Sequence, residues 1–216
     1  FYYKTLIPEF YIYKPLLIGG IPVETESKFS GVSQNFEDAY NRTASLNYKQ
    51  IETFYKGKDI PALKEEPYIN NLENYRGSIH QELERLRMPD QPVKDFSLTW
   101  EGVATTIFKD DDFGKQLNES ALFTDDLNKL LPNVEDKKER LNLIFAYVKN
   151  RMNWNEVNSC YTEKGVVKAY NERTGNVAEI NFILINMLRA AGIEANPVLV
   201  STIQNGLPVY PTRTGF

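Results

Sequence analysis

One cysteine, Cys160, and one histidine, His80, are the chain's whole stock for conventional thiol chemistry. A thiol enzyme needs a cysteine, a histidine to take its proton, and a third group to orient that histidine. Cys160 lies in Trp154-Asn155-Glu156-Val157-Asn158-Ser159-Cys160-Tyr161, a predicted loop, with Lys164 and Lys168 as the nearest cations in sequence. A loop cysteine becomes reactive when it is exposed beside positive charge. His80 belongs to a distant β-rich stretch and reads as an ordinary surface or half-buried residue. Asp110-Asp111-Asp112-Phe113-Gly114 lacks the ligand alternation and distant glutamate of a calcium loop, and reads as a solvated helix start. No metal or cofactor is called for.

The elements that would position such chemistry centre on Ile180 to Ala191, an apolar run of helical character stopped by Gly192. Arg173-Thr174-Gly175-Asn176-Val177-Ala178-Glu179-Ile180-Asn181 leads into it, and Asn196-Pro197-Val198-Leu199-Val200-Ser201-Thr202 is a β-like stretch after it. A helix N-terminus presents unpaired N–H groups and the positive end of the helix dipole, which together favour a thiolate. The residue at that place is Val177, which has no nucleophilic atom. Asn176, Glu179 and Asn181 surround it as polar residues that could line a pocket. Glu179 in the first turn is also explained by the dipole alone. Trp154 either floors a groove or plugs the core.

Further elements are legible from pattern. Leu6 to Tyr13 and Ala44 to Ile51 suit strands, and Asp59 to Tyr68 suits an extended crossing, because each X-Pro step disfavours helix before it. Gly77 to Arg87 fits helix or strand. Met88-Pro89-Asp90-Gln91-Pro92 reads as a linker. Thr99 can cap a helix with Trp100, Val103, Ala104 and Ile107 on its apolar face. Thr124-Asp125-Asp126 opens another helix, ending before Pro132. Glu135 to Met152 is the clearest, with Leu141, Ile144, Phe145, Val148 and Met152 as one stripe and Lys149 and Arg151 at its close. Asn205-Gly206 signals a hairpin turn between 198–200 and 207–210. Asn41-Arg42-Thr43 and Asn118-Glu119-Ser120 match the glycosylation triplet, a pattern short enough to arise by chance.

The order of motif, helix, Gly192 stop and following strand resembles the core of transglutaminase-like domains, which share the papain-like thiol-enzyme fold. In that family a Gly-x-Cys turn opens the helix. The resemblance puts Gly175 and Asn176 in that turn and Val177 at the nucleophile-equivalent position. It places the family's histidine and acid on strands after the helix, beyond Phe216. The first zone resembles the later half of a β-rich domain that precedes such cores in bacterial envelope proteins. The matching phrases are Asp59-Ile60-Pro61-Ala62-Leu63, Glu66-Pro67-Tyr68, Asn74-Tyr75-Arg76 and Phe96 to Trp100. The implied fold class is α+β: a β-rich module (a partial β-sandwich) over 1–92, then a papain-like core over 93–216 with a central buried helix and antiparallel strands. On this resemblance Gly77 to Arg87 is a strand, and the chain is a segment of a longer, exported, periplasmic or envelope protein.

Composition narrows the function. A net charge of −4 with 25 basic and 29 acidic residues gives no basic footprint for nucleic acid. No run of about 18 apolar residues exists, so no membrane-spanning helix is expected. One cysteine cannot form a disulfide within the chain. The leading expectation is a non-catalytic binding or scaffolding module at the cell envelope, taking a peptide, a glycan or another envelope protein. The alternatives are a thiol-dependent amidase, peptidase or acyl transferase using Cys160, and a structural subunit of an envelope complex.

Overall fold

A computed structural model describes residues 1–37, 43–96 and 99–211. Asn41-Arg42 of the first glycosylation triplet, and Ser97-Leu98 of the Phe96-to-Trp100 phrase, lie outside the described residues. The chain divides into two units, Phe1–Leu98 and Thr99–Phe216. The fold is α+β, with all the long strands in the first unit and all the α-helices in the second.

The first unit holds two three-stranded antiparallel sheets. β1 (Tyr2–Pro8), β4 (Thr43–Gly57) and β3 (Val23–Glu37) form one, in the order β1-β4-β3. β2 (Tyr11–Ile18), β5 (Ser78–Leu86) and β6 (Lys94–Asp95) form the other, in the order β2-β5-β6. The expected strand from Leu6 to Tyr13 is therefore two strands. A turn at Glu9-Phe10 carries the chain from one sheet to the other. Glu9 N–H donates to Lys49 O at 2.8 Å on the first sheet, and Phe10 O accepts from Arg87 N–H at 2.8 Å on the second. Alternation alone cannot show such a switch, because apolar residues flank the turn on both sides. Pairing with β2 makes Gly77 to Arg87 a strand, with a bulge between Ile12 and Tyr13. Residues 88–92 are not a linker. They turn the chain so that Lys94 and Asp95 pair with Leu86 and Arg85, and the expected boundary at 92/93 falls inside that hairpin.

The second unit is helical. α1 (Trp100–Phe108) starts at Thr99, whose hydroxyl accepts from Gly102 N–H at 3.1 Å. Only Val103 and Ile107 of its expected face are buried; Trp100 and Ala104 are exposed. Asp110 to Asp112 follow this helix as an exposed turn rather than opening one, and two short 3-10 segments come next, Lys115–Asn118 and Ser120–Phe123. α2 spans Thr124–Leu130. α3 (Lys137–Arg151) is capped by Asp136, which accepts from Glu139 N–H at 2.8 Å. Its buried row is Ile144, Val148 and Met152, the i, i+4, i+8 seam set against the last helix, while Leu141 and Phe145 stand exposed.

α4 (Val166–Glu172) and α5 (Val177–Ala190) complete the unit; β7 (Asn153–Trp154), after α3, and β8 (Thr174–Gly175), between α4 and α5, form a short parallel pair. α5 is the core helix: Phe182, Ile183, Met187 and Leu188 are buried against Phe113, Phe123, Ile144 and Val166. Gly192, at φ +76°, ends it in the left-handed conformation that glycine adopts without penalty. The expected strands around Asn205-Gly206 are not formed. A turn lies at 203–205, but Val198, Val200, Leu207 and Val209 are exposed and lie outside any strand among the described residues. A lone two-stranded hairpin with no third strand or packed face is marginal in water.

Candidate functional site

Asn176 and Glu179 define the start of α5. The Asn176 side chain accepts from Glu179 N–H at 2.9 Å, and the Glu179 carboxyl accepts from Asn176 N–H at 2.9 Å, a reciprocal capping box. Val177 is thus the first residue of the helix, and it is 38% exposed. The place where a helix dipole would activate a thiol is open to solvent and occupied by an aliphatic side chain.

The parallel pairing of β7 with β8 brings Trp154 beside this point. Trp154 pairs with Gly175, and Asn155 N–H donates to Gly175 O at 3.0 Å. A Cβ on Gly175 would stand 2.9 Å from both Cβ and Oε2 of Glu179, so the strand can approach the helix head this closely only with glycine. The Trp154 indole Nε1 donates to Val157 O at 3.1 Å, and Val177 N–H donates to the same oxygen at 3.3 Å. Two N–H groups converging on one oxygen is the arrangement that stabilises developing negative charge in acyl transfer. Here the chain's own Val157 carbonyl takes both.

The loop from 155 to 165 is held to the helix head from below. Glu179 Oε1 accepts from Glu163 N–H at 3.1 Å and from Lys164 N–H at 2.8 Å. Asn176 Nδ2 donates to Tyr161 O at 2.8 Å. Both side chains are 0% exposed. Three backbone donors converge on the Glu179 carboxyl, so its role exceeds the local dipole effect expected from its position. The capping box was readable as Asn-x-x-Glu. The reach to residues 163 and 164 carried no signal in the sequence.

Of the four residues expected to line a pocket, only two reach the surface. Trp154 is 51% exposed, so it is no core plug. Asn181 is exposed, and its amide donates back to Val177 O at 2.8 Å, one turn earlier. Asn176 and Glu179 are interior and fully engaged.

Cys160 lies in the loop between β7 and α4. It is partly buried, and burial pushes its pKa up, with Asp110 adding in the same direction. The nearest cations in sequence pair elsewhere: Lys164 Nζ lies 2.6 Å and Lys168 Nζ 4.0 Å from the Glu172 carboxylate. His80 belongs to β5 in the first unit, with its Nε2 3.0 Å from Ser78 Oγ. Among the described residues no cluster of His, Cys, Asp and Glu could hold a metal ion, and no helix is long and apolar enough to cross a membrane.

The family model described as the transglutaminase-like superfamily matches residues 127–206. A crystal structure from Parabacteroides distasonis ATCC 8503, described as a "putative protease", is 18% identical with a TM-score of 0.45. The alignment covers 89% of this chain and 32% of that one, so the chain spans about a third of that protein's length. No curated protein matches. The similarity to the transglutaminase-like superfamily thus runs from within α2 to the turn after α5.

Proposed function

We propose that this transglutaminase-like unit performs no acyl transfer at the head of α5 and serves as a binding or scaffolding module at the cell envelope. The observation that carries the reading is Val177 at the exposed first position of α5, where Trp154 and the Val177 amide already donate to Val157. The position equivalent to the family's nucleophile has no atom that can attack a carbonyl. The pair of donors that could steady an oxyanion is engaged within the chain. The thiol-enzyme reading loses support from the burial of Cys160 and its acidic neighbour. The envelope assignment rests on the resemblance of the two-part organisation alone.

The test is alkylation of the full chain by iodoacetamide at neutral pH, followed by intact mass. Wild-type protein is expected to label more slowly than a free thiol, because a raised pKa leaves less thiolate. Val177→Cys is expected to add a second, faster site, about tenfold faster than Cys160, since the new thiol meets the helix N-terminus in the open. Turnover of peptide amides by wild type that disappears in Cys160→Ala would overturn the reading. For location, fractionation of the native protein into the cytoplasm would remove the envelope role.

A further inference from the structure

A cleft in the helical unit is walled by both apolar and cationic side chains. It has a volume of about 430 Å3. Leu130, Leu143, Ala146 and the Tyr147 ring supply apolar wall; Asn150, Arg151 and Arg173 supply the polar groups. None of the residues described around Val177 lines it. No carboxylate lines it either, although acidic residues outnumber basic ones in the chain.

Arg151 and Arg173 are the two cations of this cleft. Among the described residues neither guanidinium takes part in an ion pair. Arg151 Nε is buried without a hydrogen-bond partner, an uncommon state for a donor. The Arg151 guanidinium is locked in place: its carbon lies 4.0 Å from the centroid of the Tyr170 ring and 5.9 Å from that of Tyr147. Those phenols are fixed in turn. Tyr147 and Tyr170 hydroxyls are 3.0 Å apart, and Tyr170 donates to Asp126 Oδ2 at 2.5 Å. The Asp126 carboxylate is therefore engaged by a phenol.

Arg173 is the C-cap of α4 and holds a left-handed conformation, φ 57°. Glycine or asparagine would fill that backbone position with less strain. An arginine there keeps an exposed guanidinium on the cleft at some cost to the backbone.

We infer that this cleft binds a carboxylate carried on an apolar body, such as the C-terminal residue of a peptide or a short fatty acid. The guanidinium fork matches the two oxygens of a carboxylate, and the leucine, alanine and tyrosine wall accepts the apolar part. The volume lies in the range of small-ligand sites.

The test uses the full chain with N-acetyl-leucine, N-acetyl-leucinamide and inorganic phosphate as probes, read by ligand-observed NMR titration. The acid is expected to bind saturably and about tenfold more tightly than the neutral amide, and to weaken as salt rises. Arg173→Gly is expected to leave thermal stability unchanged or raised while binding of the acid falls by about tenfold. That pairing separates a ligand contact from a structural cap. Equal binding of acid and amide, or tighter binding of phosphate than of the acid, would overturn the assignment in the wild-type protein, whether or not the variant folds. Unchanged binding by folded Arg173→Gly would do the same. A hexanoate probe competing for the same site widens the source to fatty acids and keeps the chemistry.

Discussion

Glu179→Ala is expected to destabilise the helical unit by about 3–5 kcal/mol, the largest effect of any single polar change here. The carboxyl accepts from three backbone N–H groups, at residues 163, 164 and 176, in a fully buried place. Alanine leaves all three donors without a partner and opens space where water has few further partners. Glu179→Gln keeps the shape but turns one acceptor into a donor. Its amide would face either Asn176 N–H or the 163–164 pair, so a loss of about 1–3 kcal/mol is expected. The measurement is denaturant unfolding followed by tryptophan fluorescence. It reports on the helical unit alone, since both tryptophans, Trp100 and Trp154, lie within Thr99–Phe216. A loss below about 1 kcal/mol for the alanine variant would show that the loop from 155 to 165 is held by something other than this carboxyl.

Phe123→Ala is expected to cost about 3–5 kcal/mol, while Phe145→Ala costs less than about 1 kcal/mol. Phe123 is 0% exposed and meets the Tyr170 ring edge-on, at 4.9 Å between centroids and 87° between planes. Removing it leaves a cavity bounded by fixed neighbours, since Tyr170 is tied to Asp126 and Tyr147. Phe145 is 53% exposed on the flank of α3. The same fluorescence titration checks both. Equal losses at the two positions would mean that the seam of α3 has been placed on the wrong row.

These two predictions bear on function through one physical link. Glu179 and the core behind α5 hold the 155–165 loop against the helix head, and that loop carries Val157 to the paired donors of Trp154 and Val177. A helix head held open would expose two N–H groups to an incoming carbonyl. In the observed structure an internal carbonyl takes that place. Glu179→Gln therefore has a second expected effect. The Trp154 indole N–H, released from Val157 as the loop loosens, should exchange with solvent deuterium faster, measured on that single resonance by NMR.

The sequence alone determined the features whose causes are local. Asn176-x-x-Glu179 and Gly192 mark the two ends of α5, because capping and the left-handed stop depend on residues within a turn of one another. Residue identity likewise settled that position 177 holds no reactive atom. The strand nature of Gly77 to Arg87 was open on periodicity, since both periods fit; the resemblance pointed to a strand, and pairing with β2 made it one. The tertiary structure decided everything that depends on segments distant in sequence. It split Leu6 to Tyr13 between two sheets, left 198–210 outside any strand, and gave Phe145 to solvent and Phe123 to the core. It also took Glu179 from a dipole ornament to the anchor of a loop fifteen residues upstream. Burial and long-range hydrogen bonds follow from which surfaces meet, and a residue's type says what it can bond without saying which backbone will be brought to it.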